Sequence, residues 1–457
     1  NNDQDKISAI LPFVNLNRDG VQEILVADDN YSLYCLNGNS SGTADIIWQL
    51  NLYIPSIGSG SIYDEKGLVI MDDINSDGIQ DIALGTVWGS RSVFAVSGMD
   101  GSIIWHYDTD EYGDGGWIYE VDAEHDFNND GIRDILAASG DDGSDFGPRR
   151  VQLFNGVNGD KLWEHAFYVA MTAVISLEDI TGDSVPDVVC ASSPDYTDGY
   201  IYVLDGSTGN TINEINSNST AVFALCPIND INNDGLMDYA YGDFNGAIKI
   251  VTSPADVTTS FSTQNGLITH MESITAYNQK SYILSGTLND YFPLINATDG
   301  IISWAVATDG YVLDASPIED LNGDLFFDVL IGTLDEKLSV LSGLDGQEIF
   351  SKNMYHPVEQ TSYVMDLDGN GTPEILVGLR NGKLFCYSGG DANEDAYLDG
   401  DINLDELVNI LDIILVVNII LGDYEANELE LWLADLNSDG AINILDIIAI
   451  ANIILNP

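Results

Sequence analysis

Carboxylate and amide side chains recur at alternate positions in seven short stretches of the sequence, and oxygen donors in this arrangement can bind a hard cation. Each stretch has a side-chain donor at its first, third, fifth and ninth positions, and most have glycine at the sixth, which permits a tight turn. The donors are Asn15, Asn17, Asp19 and Glu23; Asp73, Asn75, Asp77 and Asp81; Asp126, Asn128, Asp130 and Asp134; Asp179, Thr181, Asp183 and Asp187; Asp230, Asn232, Asp234 and Asp238; Asp320, Asn322, Asp324 and Asp328; and Asp366, Asp368, Asn370 and Glu374.

The cation that these loops fit is calcium, which takes about six to eight oxygen ligands in a flexible geometry. The carbonyl of the seventh residue adds a ligand in six loops, at Ile79, Ile132, Val185, Leu236, Phe326 and Thr372. Histidine and cysteine are absent from every loop, which argues against zinc or copper. Because the same donors recur in every repeat instead of converging on one cleft, we expect about seven structural calcium ions.

A second signature alternates with the loops: a turn glycine followed, four residues later, by an aromatic residue. The residues in this place are Trp105, Trp163, Trp304 and Phe350, with Trp48 after a longer turn and Asn213 as an exception. The regular spacing predicts that these aromatics pack between neighbouring repeats and do not form a ligand platform.

The interval between the loops at Asp230 and Asp320 is long enough to contain one more repeat, whose loop has lost its donors. The ligand positions of that loop are occupied by Ile274, Ala276, Asn278 and Tyr282. Lys280 lies in the same segment, so we expect its ammonium group to replace the missing ion.

Repeats of about fifty residues with four short strands each indicate a β-propeller over residues 1–389. We predict an all-β propeller with eight blades, in which the segment from Lys6 to Ile10 completes the last blade; seven blades is the alternative. Four cysteines lie in apolar, strand-like segments and are expected to be buried thiols. A disulfide between Cys35 and Cys386, which hold equivalent positions, is the other interpretation.

The net charge of the chain restricts its partners and its location. The 457 residues include 74 acidic and 14 basic side chains, giving a formal charge of −60, which makes nucleic acid an unsuitable partner. No apolar run is long enough to predict a membrane span. The sequence begins without a basic stretch or an apolar signal core, so we expect the mature form of a secreted or cell-surface protein.

The last part of the chain contains a duplication. After an acidic linker at 390–399, two acidic stretches beginning at Asp401 and Asp435 each lead into almost the same apolar helix, Asn-Ile-Leu-Asp-Ile-Ile, at Asn409 and Asn443. Two such copies predict a small all-α module at 400–457 that is separate from the propeller.

Three known families share these motifs. The Asp-x-Asn-x-Asp-Gly-x-x-Asp loops resemble the FG-GAP or VCBS repeats of extracellular propellers such as the integrin α head, and the Gly-x-x-Ile-Trp turns resemble quinoprotein-type propellers. The duplicated module resembles a dockerin, an EF-hand-like domain with two calcium loops joined by a helix, here near Glu425 to Leu433.

The resemblance to dockerins implies two more calcium ions and a cohesin-like partner. The ligands that this resemblance implies in the first loop are Asp401, Asn403, Asp405, the carbonyl of Leu407, Asn409 and Asp412. In the second loop they are Asp435, Asn437, Asp439, the carbonyl of Ala441, Asn443 and Asp446. Glu406 departs from the pattern because it replaces the turn glycine of the first loop. The recognition positions at the helix starts, which carry hydroxyls in many dockerins, are the apolar residues Ile410, Leu411, Ile444 and Leu445.

The sequence contains no recognisable catalytic motif. Its five histidines share no pattern, Gly-x-Ser-x-Gly and His-Glu-x-x-His are absent, and the adjacent cysteine pair of quinoprotein enzymes is missing. The favoured function is therefore non-catalytic binding, adhesion or extracellular assembly through a cohesin-like partner, another extracellular protein or a second copy of the chain.

The alternative function is that of a polysaccharide-active, lyase-like propeller, because rhamnogalacturonan lyases of similar build carry calcium and sometimes dockerins. The segments Tyr107 to Tyr119 and Asp141 to Arg150 are the most individual parts of the repeat array. Arg149 and Arg150 have the charge to meet an anionic glycan, although pairing with neighbouring aspartates is the simpler and favoured interpretation.

Overall fold

The structure is a computed structural model, and it divides the chain into two compact units, Asn1–Gly389 and Gly390–Pro457. It describes residues 6–40, 42–54, 58–109, 116–140, 149–193, 198–219, 221–252, 256–262, 266–276, 280–392, 400, 402–403, 408–422, 424, 426, 431, 434, 436 and 442–455.

Among the described residues, the strands of the first unit form eight antiparallel groups, each a simple up-and-down meander. The first group contains β1 (Ile7–Pro12), β2 (Ile24–Asp28), β3 (Ser32–Leu36) and β4 (Ile46–Asn51). The second contains β7 (Leu68–Ile70), β8 (Ile82–Gly85), β10 (Ser92–Val96) and β11 (Ile103–Asp108). Between them lie a 3-10 helix (Glu65–Gly67) and the short strands β5 (Tyr53–Ile54) and β6 (Gly58–Ser61); β6 pairs with both β5 and β9 (Val87–Trp88).

The next three groups repeat this order with four strands each. The third has β12 (Trp117–Asp122), β13 (Ile135–Gly140), β14 (Arg150–Phe154) and β15 (Lys161–Ala166). The fourth has β16 (Met171–Leu177), β17 (Asp187–Ser192), β18 (Tyr200–Leu204) and β19 (Thr211–Asn216). The fifth has β20 (Val222–Ile228), β21 (Asp238–Asp243), β22 (Ala247–Thr252) and β23 (Asp256–Ser262).

The last three groups end the first unit. The sixth has β24 (Ile268–Thr275), β25 (Ser281–Thr287), β26 (Tyr291–Asn296) and β27 (Ile301–Ala307). The seventh has β28 (Val312–Ile318), β29 (Asp328–Thr333), β30 (Lys337–Ser342) and β31 (Glu348–Asn353), and one residue pair, Thr287 with Val312, joins it to the sixth. The eighth has β32 (Val358–Val364), β33 (Glu374–Leu379) and β34 (Leu384–Tyr387).

The position of a strand within its group determines its residue pattern. The second strand lies between two neighbours and is buried along its length, as in β8 and β29. It is therefore an apolar or small-residue run, apart from the loop carboxylate Asp328 at the start of β29. The fourth strand has a free edge, and in β27 partly buried and exposed residues alternate.

Contacts between the first strands close the first unit into a ring. From β12 they pass through β16, β20, β24, β28 and β32 to β1, and the 3-10 helix contacts both β1 and β12. Ile7 and Ile10 of β1 share a hydrophobic cluster with Val364 and Leu376 of the eighth group.

This closure corrects one prediction, because the Lys6 to Ile10 segment does not complete the last group. Ile7 pairs with Asp28, which makes β1 the first strand of the first group, and the eighth group has three described strands. The first four residues of β1 are buried, as an inner strand between two groups requires; an outer edge strand would leave one face exposed.

The cysteines differ in burial but are all free thiols. Cys35, Cys190 and Cys226 are buried, whereas Cys386 is exposed. The structure therefore contains no disulfide between Cys35 and Cys386.

The second unit contains α1 (Ile410–Leu421) and α2 (Ile444–Leu455), which pack against each other. Ile402, Val416, Ala434 and Ile450 form the buried centre of this unit. The predicted linker at 390–399 and the predicted helix from Glu425 to Leu433 lie largely outside the described residues. Within the described part of the chain, no helix is long and apolar enough to cross a membrane.

Candidate metal centres and docking face

The loop between β7 and β8 shows how the acidic motif folds. The carboxylate of Asp73 accepts the N–H groups of Asp77 at 3.1 Å and Gly78 at 2.8 Å. Asn75 Oδ1 also accepts the N–H of Asp77, at 2.9 Å, and Asp77 Oδ1 accepts that of Ile79, at 3.0 Å. The first three donors are thus fixed around one turn, and their oxygens keep lone pairs for a cation.

The other loops repeat this geometry. The N–H of the fifth residue donates to the first carboxylate at 3.1 to 3.2 Å in the loops that begin at Asp126, Asp179, Asp230, Asp320 and Asp366. In the first loop, Asn15 Oδ1 is buried and has no hydrogen-bond partner among the described residues, so it is an oxygen that a cation would satisfy. In the last loop, one carboxylate oxygen from each of Asp366, Asp368 and Glu374 lies within 4.8 Å of the others.

The ninth residue has a role that the sequence did not reveal. Asp81 is buried and accepts the N–H groups of Ile74 at 2.8 Å and Gly98 at 3.1 Å, with further bonds from the main chain and side chain of Asn75. This carboxylate therefore braces the loop against the turn after β10. Its role as a calcium ligand stays a prediction.

Burial raises the pKa of several of these ninth-position carboxyls, although backbone N–H groups oppose the effect. The pKa of Asp134 rises to about 6 and that of Asp328 to about 7. Holding these groups ionised at neutral pH costs free energy, which a nearby cation would reduce.

In four of these loops, a Gly-x-x-Gly turn couples the ninth carboxylate to the preceding group of strands. Gly98 donates its N–H to Asp81, while its carbonyl accepts the indole N–H of Trp48 at 3.0 Å. A Cβ added to Gly101 would lie 2.6 Å from the ring of Trp48, so only glycine fits beneath the indole. The same pairing recurs for Trp105, Trp163 and Trp304, which confirms the predicted packing between repeats; the spacing of glycines was the signal for this turn.

The repeat with the degenerate loop contains an ion pair. The ammonium group of Lys280 contacts the carboxylate of Asp299, at the turn after β26. The N–H of Ala276 donates a hydrogen bond to the carbonyl of Lys280 at 3.0 Å. Ile274 and Tyr282 are paired across β24 and β25, and Asn278 lies outside the described residues. The pair supports the prediction that a fixed cation replaces the ion.

In the second unit, the aspartate at the twelfth loop position fixes the start of each helix. Asp412 is buried; its carboxylate accepts the N–H groups of Ile402 at 3.0 Å and Asn409 at 2.8 Å. Asp446 accepts the N–H of Asn443 at 2.8 Å in the same way.

Of the carried-over ligands, the structure describes Asn403, Asn409, Asp412, Asn443 and Asp446. The others lie outside the described residues: Asp401, Asp405, Leu407, Asp435, Asn437, Asp439 and Ala441, together with Glu406.

The predicted recognition residues form exposed apolar faces on both helices. Ile410 and Leu411 on α1, and Ile444 and Leu445 on α2, are all more than half exposed. One helical turn further on, Ile414 and Ile448 are also exposed; the sequence analysis missed them, although their spacing of four residues was the available signal.

A separate aromatic surface lies on the first unit. Trp88 is 55% exposed and contacts Trp117 in a tilted arrangement, with ring centroids 4.5 Å apart and ring planes 59° apart. Trp117 contacts Tyr119, which packs against Tyr63. The sequence analysis had singled out the Tyr107 to Tyr119 segment, of which 110–115 lies outside the described residues.

The two arginines have protein partners. Arg150 pairs with Glu164 at 3.2 Å, and Arg149 donates to the carbonyl of Tyr168. Residues 141–148 of the same predicted segment lie outside the described residues. The pairing of Arg150 agrees with the simpler of its two interpretations.

Comparison with known protein families identifies the C-terminal module. Residues 399–455 match the family model of the dockerin type I domain. Dockerin domains bind calcium, occur in extracellular proteins and imply a cohesin-type partner. No curated protein sequence matches the chain.

Solved structures identify the fold of the first unit. Sqt1 of Saccharomyces cerevisiae is similar with a TM-score of 0.60 and 13% identity, covering 84% of this chain and 96% of Sqt1. The computationally designed Ika8 protein gives 0.58 and 13%, with the same coverage, and the C-terminal WD40 domain of Sif2 gives 0.53 and 13%, covering 81% of this chain and 95% of that domain. At this identity the likeness shows the fold alone, which is that of a WD40-like propeller.

Proposed function

We propose that this chain is a non-catalytic binding, adhesion or assembly protein, secreted or held at a cell surface, whose propeller is tethered through its dockerin-like module to a cohesin-type partner. The observation that carries the proposal is the pair of equivalent apolar faces on α1 and α2, exposed within the segment that matches dockerins. Apolar surface of this kind is typical of a protein interface. The domains are a propeller at 1–389, a linker at 390–399 and the docking module at 400–457.

We assign eight blades to the propeller. The contacts between first strands support this number, because they lead from group to group and return from β32 to β1. A propeller of seven blades would require two of these groups to form one blade, whereas the sixth and seventh are joined by a single residue pair.

The proposed cofactor is calcium, with about seven ions in the propeller and two in the docking module. The geometry of the first, third and fifth loop positions, together with the unsatisfied oxygen of Asn15, supports the propeller sites. In loops where the ninth carboxylate already braces the turn, the first five positions and the seventh carbonyl supply the direct ligands.

The test is binding of the full-length protein to immobilised cohesin domains of several types in millimolar calcium. Because the two helices present equivalent faces, the variant carries both Leu411→Asp and Leu445→Asp. We expect the dissociation constant to rise at least about 100-fold, since each charge is buried without a partner at the interface. Tyr168→Asp, which changes a residue that is 96% exposed on the propeller, is the control and should bind normally.

Two results would contradict the proposal: unchanged binding by the double variant, or no binding to any cohesin. A self-assembling form makes a different prediction, since a contact between the module of one chain and the propeller of the next generates filaments. Electron microscopy at millimolar calcium would show filaments that disappear in the double variant.

Glycan binding is a second candidate function, favoured by the exposed Trp88 packed against Trp117. Flat aromatic rings provide apolar surface with a polar edge, which suits the faces of sugar rings. A screen against anionic and neutral polysaccharides should show binding that Trp88→Ala weakens and Tyr168→Ala does not. Release of unsaturated products in the same screen would identify the lyase alternative, and no retention of any polysaccharide would remove this candidate.

A further inference from the structure

The first strands of the groups share a β-bulge, and the residue after it defines one layer of the inner ring. Seven first strands shift register at the same place, just before Ala9, Glu120, Ala173, Ala224, His270, Asp314 and Gln360. Alanine is the residue in three of these strands. Polar residues take this position on the other four, and three of them, His270, Asp314 and Gln360, lie on the consecutive first strands β24, β28 and β32.

A side chain from outside the repeats joins this layer. Glu65, in the 3-10 helix before β7, places Oε1 3.0 Å from Nδ1 of His270. One ligand atom from each of Glu65, His270 and Asp314 lies within 4.8 Å of the other two. Asp314 is further fixed because its carboxylate accepts the N–H of Thr361 at 2.5 Å and the hydroxyl of the same residue at 2.8 Å.

Two buried polar atoms in this layer lack hydrogen-bond partners among the described residues. They are Nε2 of His270, whose side chain is 10% exposed, and Oε1 of Gln360. Because Oε1 of Glu65 lies 3.0 Å from Nδ1 of His270, an ion held by both side chains would bind at Nδ1 and replace this hydrogen bond, and Nε2 would carry the proton. Leaving Nε2 and Oε1 of Gln360 buried and unpaired costs free energy, which a water ligand of the bound ion would reduce.

The surrounding charge and space also suit a cation. Glu65 and Glu272 line a cavity of about 530 Å³ together with Lys66. Lys66 interacts electrostatically with Glu65, Glu272 and Glu120, and Asp314 interacts with Glu65. A divalent cation would reduce the repulsion among these carboxyl groups, and the cavity provides a route for its entry.

We propose that Glu65, His270 and Asp314 bind one divalent transition-metal ion, of the zinc or manganese class, inside the ring of the propeller. One imidazole and two carboxylates favour these metals over calcium, which takes oxygen ligands alone. Three protein ligands leave a coordination position for water or for an oxygen of a small anionic or hydroxylated ligand entering from the cavity. The site is independent of the calcium loops, which contain no nitrogen donor from histidine.

The test uses full-length protein stripped of metal, returned to millimolar calcium and titrated with Co²⁺ as the probe. Calcium occupies the loops, so we expect one tightly retained equivalent of Co²⁺ with visible absorption bands and nitrogen coordination detectable by pulsed electron paramagnetic resonance. His270→Ala should weaken retention at least about tenfold and abolish the nitrogen signal. His106→Ala, at an exposed position on β11, is the matched control and should change neither.

Two further variants, His270→Gln and Asp314→Asn, are titrated in the same way. Thermal unfolding in calcium verifies that each variant is folded. Both should lower Co²⁺ affinity, and only His270→Gln should remove the nitrogen signal. The proposal is overturned if calcium-loaded protein retains no Co²⁺, or if folded His270 variants retain it with the same affinity and spectrum.

Discussion

Trp48 joins the first two groups of strands through a single side chain. Its ring covers Gly101 and its indole N–H bonds to the carbonyl of Gly98. We predict that Trp48→Ala lowers the free energy of unfolding by about 3 kcal/mol or more, because it leaves a cavity between groups. Trp48→Phe keeps most of the packing and should cost roughly 1 kcal/mol for the lost hydrogen bond.

Chemical denaturation in saturating calcium measures both effects. Tyr168→Ala, at a residue that is 96% exposed, is the control and should stay within about 0.5 kcal/mol of the parent protein. Equal stability of the two Trp48 variants would mean that the packing of the ring contributes nothing, and equal stability of Trp48→Phe and the parent would mean that the indole hydrogen bond contributes nothing.

Asp29 introduces a pH dependence that is independent of the metal loops. Burial raises its pKa to about 6, while Lys6 opposes the shift and Glu359 and Asp28 add to it. A carboxyl group with a raised pKa stabilises the folded state most below its unfolded pKa, and this contribution is lost as pH rises through about 6. We predict that Asp29→Asn is more stable than the parent at pH 8 by at most about 1 kcal/mol, since the group is partly solvated. At pH 4 the two melting temperatures should coincide, and a constant difference across this range would disprove the assignment.

At the scale of the element, the acidic loop requires the left-handed backbone conformation, with positive φ, at its fourth and sixth positions. The sixth position is glycine in most loops, with φ near 91° at Gly78, but Leu325 and Ser184 hold it at 68° and 71°. The left-handed conformation is sterically unfavourable for leucine, because its Cβ approaches the following carbonyl oxygen. Leu325 is 81% exposed, so its side chain contributes little packing in return. We predict that Leu325→Gly stabilises the protein by about 0.5 to 1 kcal/mol.

Gly78→Ala is the matched opposite change. An added Cβ at Gly78 meets no atom within 4 Å, so a loss of about 1 kcal/mol would report backbone strain alone. Thermal unfolding at fixed calcium compares the two; destabilisation by Leu325→Gly would show that the leucine side chain matters more than its φ angle.

The sequence predicts elements whose signals are periodic. The loops, the strands that follow them and the tryptophans recur at fixed spacing, and the structure places all three as expected. The role of Asp81 as a brace depends on Gly98, seventeen residues away, and therefore on the folded turn. Similarly, His270 has no local motif, because its neighbours are distant in sequence: Glu65 lies in the 3-10 helix before β7 and Asp314 lies in β28. The prediction for the Lys6 to Ile10 segment was wrong for a related reason. Its apolar pattern fits either an inner or an outer strand of a group, and only the closure of the ring distinguishes the two positions.

At the scale of the whole molecule, the dominant feature is the concentration of negative charge in repeated loops. The propeller loops hold two carboxylates at ligand positions in the first and three in each of the other six, within a chain of net charge −60. Four of these loops also touch the junction between neighbouring groups, as where Asp81 holds the turn on which Trp48 packs. Repulsion within a loop is therefore transmitted to the contacts that close the ring.

We predict that chelation of calcium lowers the melting temperature of the propeller and that stability rises with free calcium concentration. The physical reason is linkage: an ion that binds only the folded loops stabilises by RT ln(1 + [Ca²⁺]/Kd) at each site, or about 2.7 kcal/mol when calcium is a hundredfold above Kd. Calorimetry of a chain that ends at Gly389, which contains the whole first compact unit, separates this effect from the docking module. Magnesium at the same ionic strength is the control for charge screening, and it should restore little of the stability because it prefers a smaller, regular octahedral site. If excess chelator leaves the melting temperature unchanged, the loops are structural turns without ions, and the bracing by Asp81 and its counterparts alone maintains the ring.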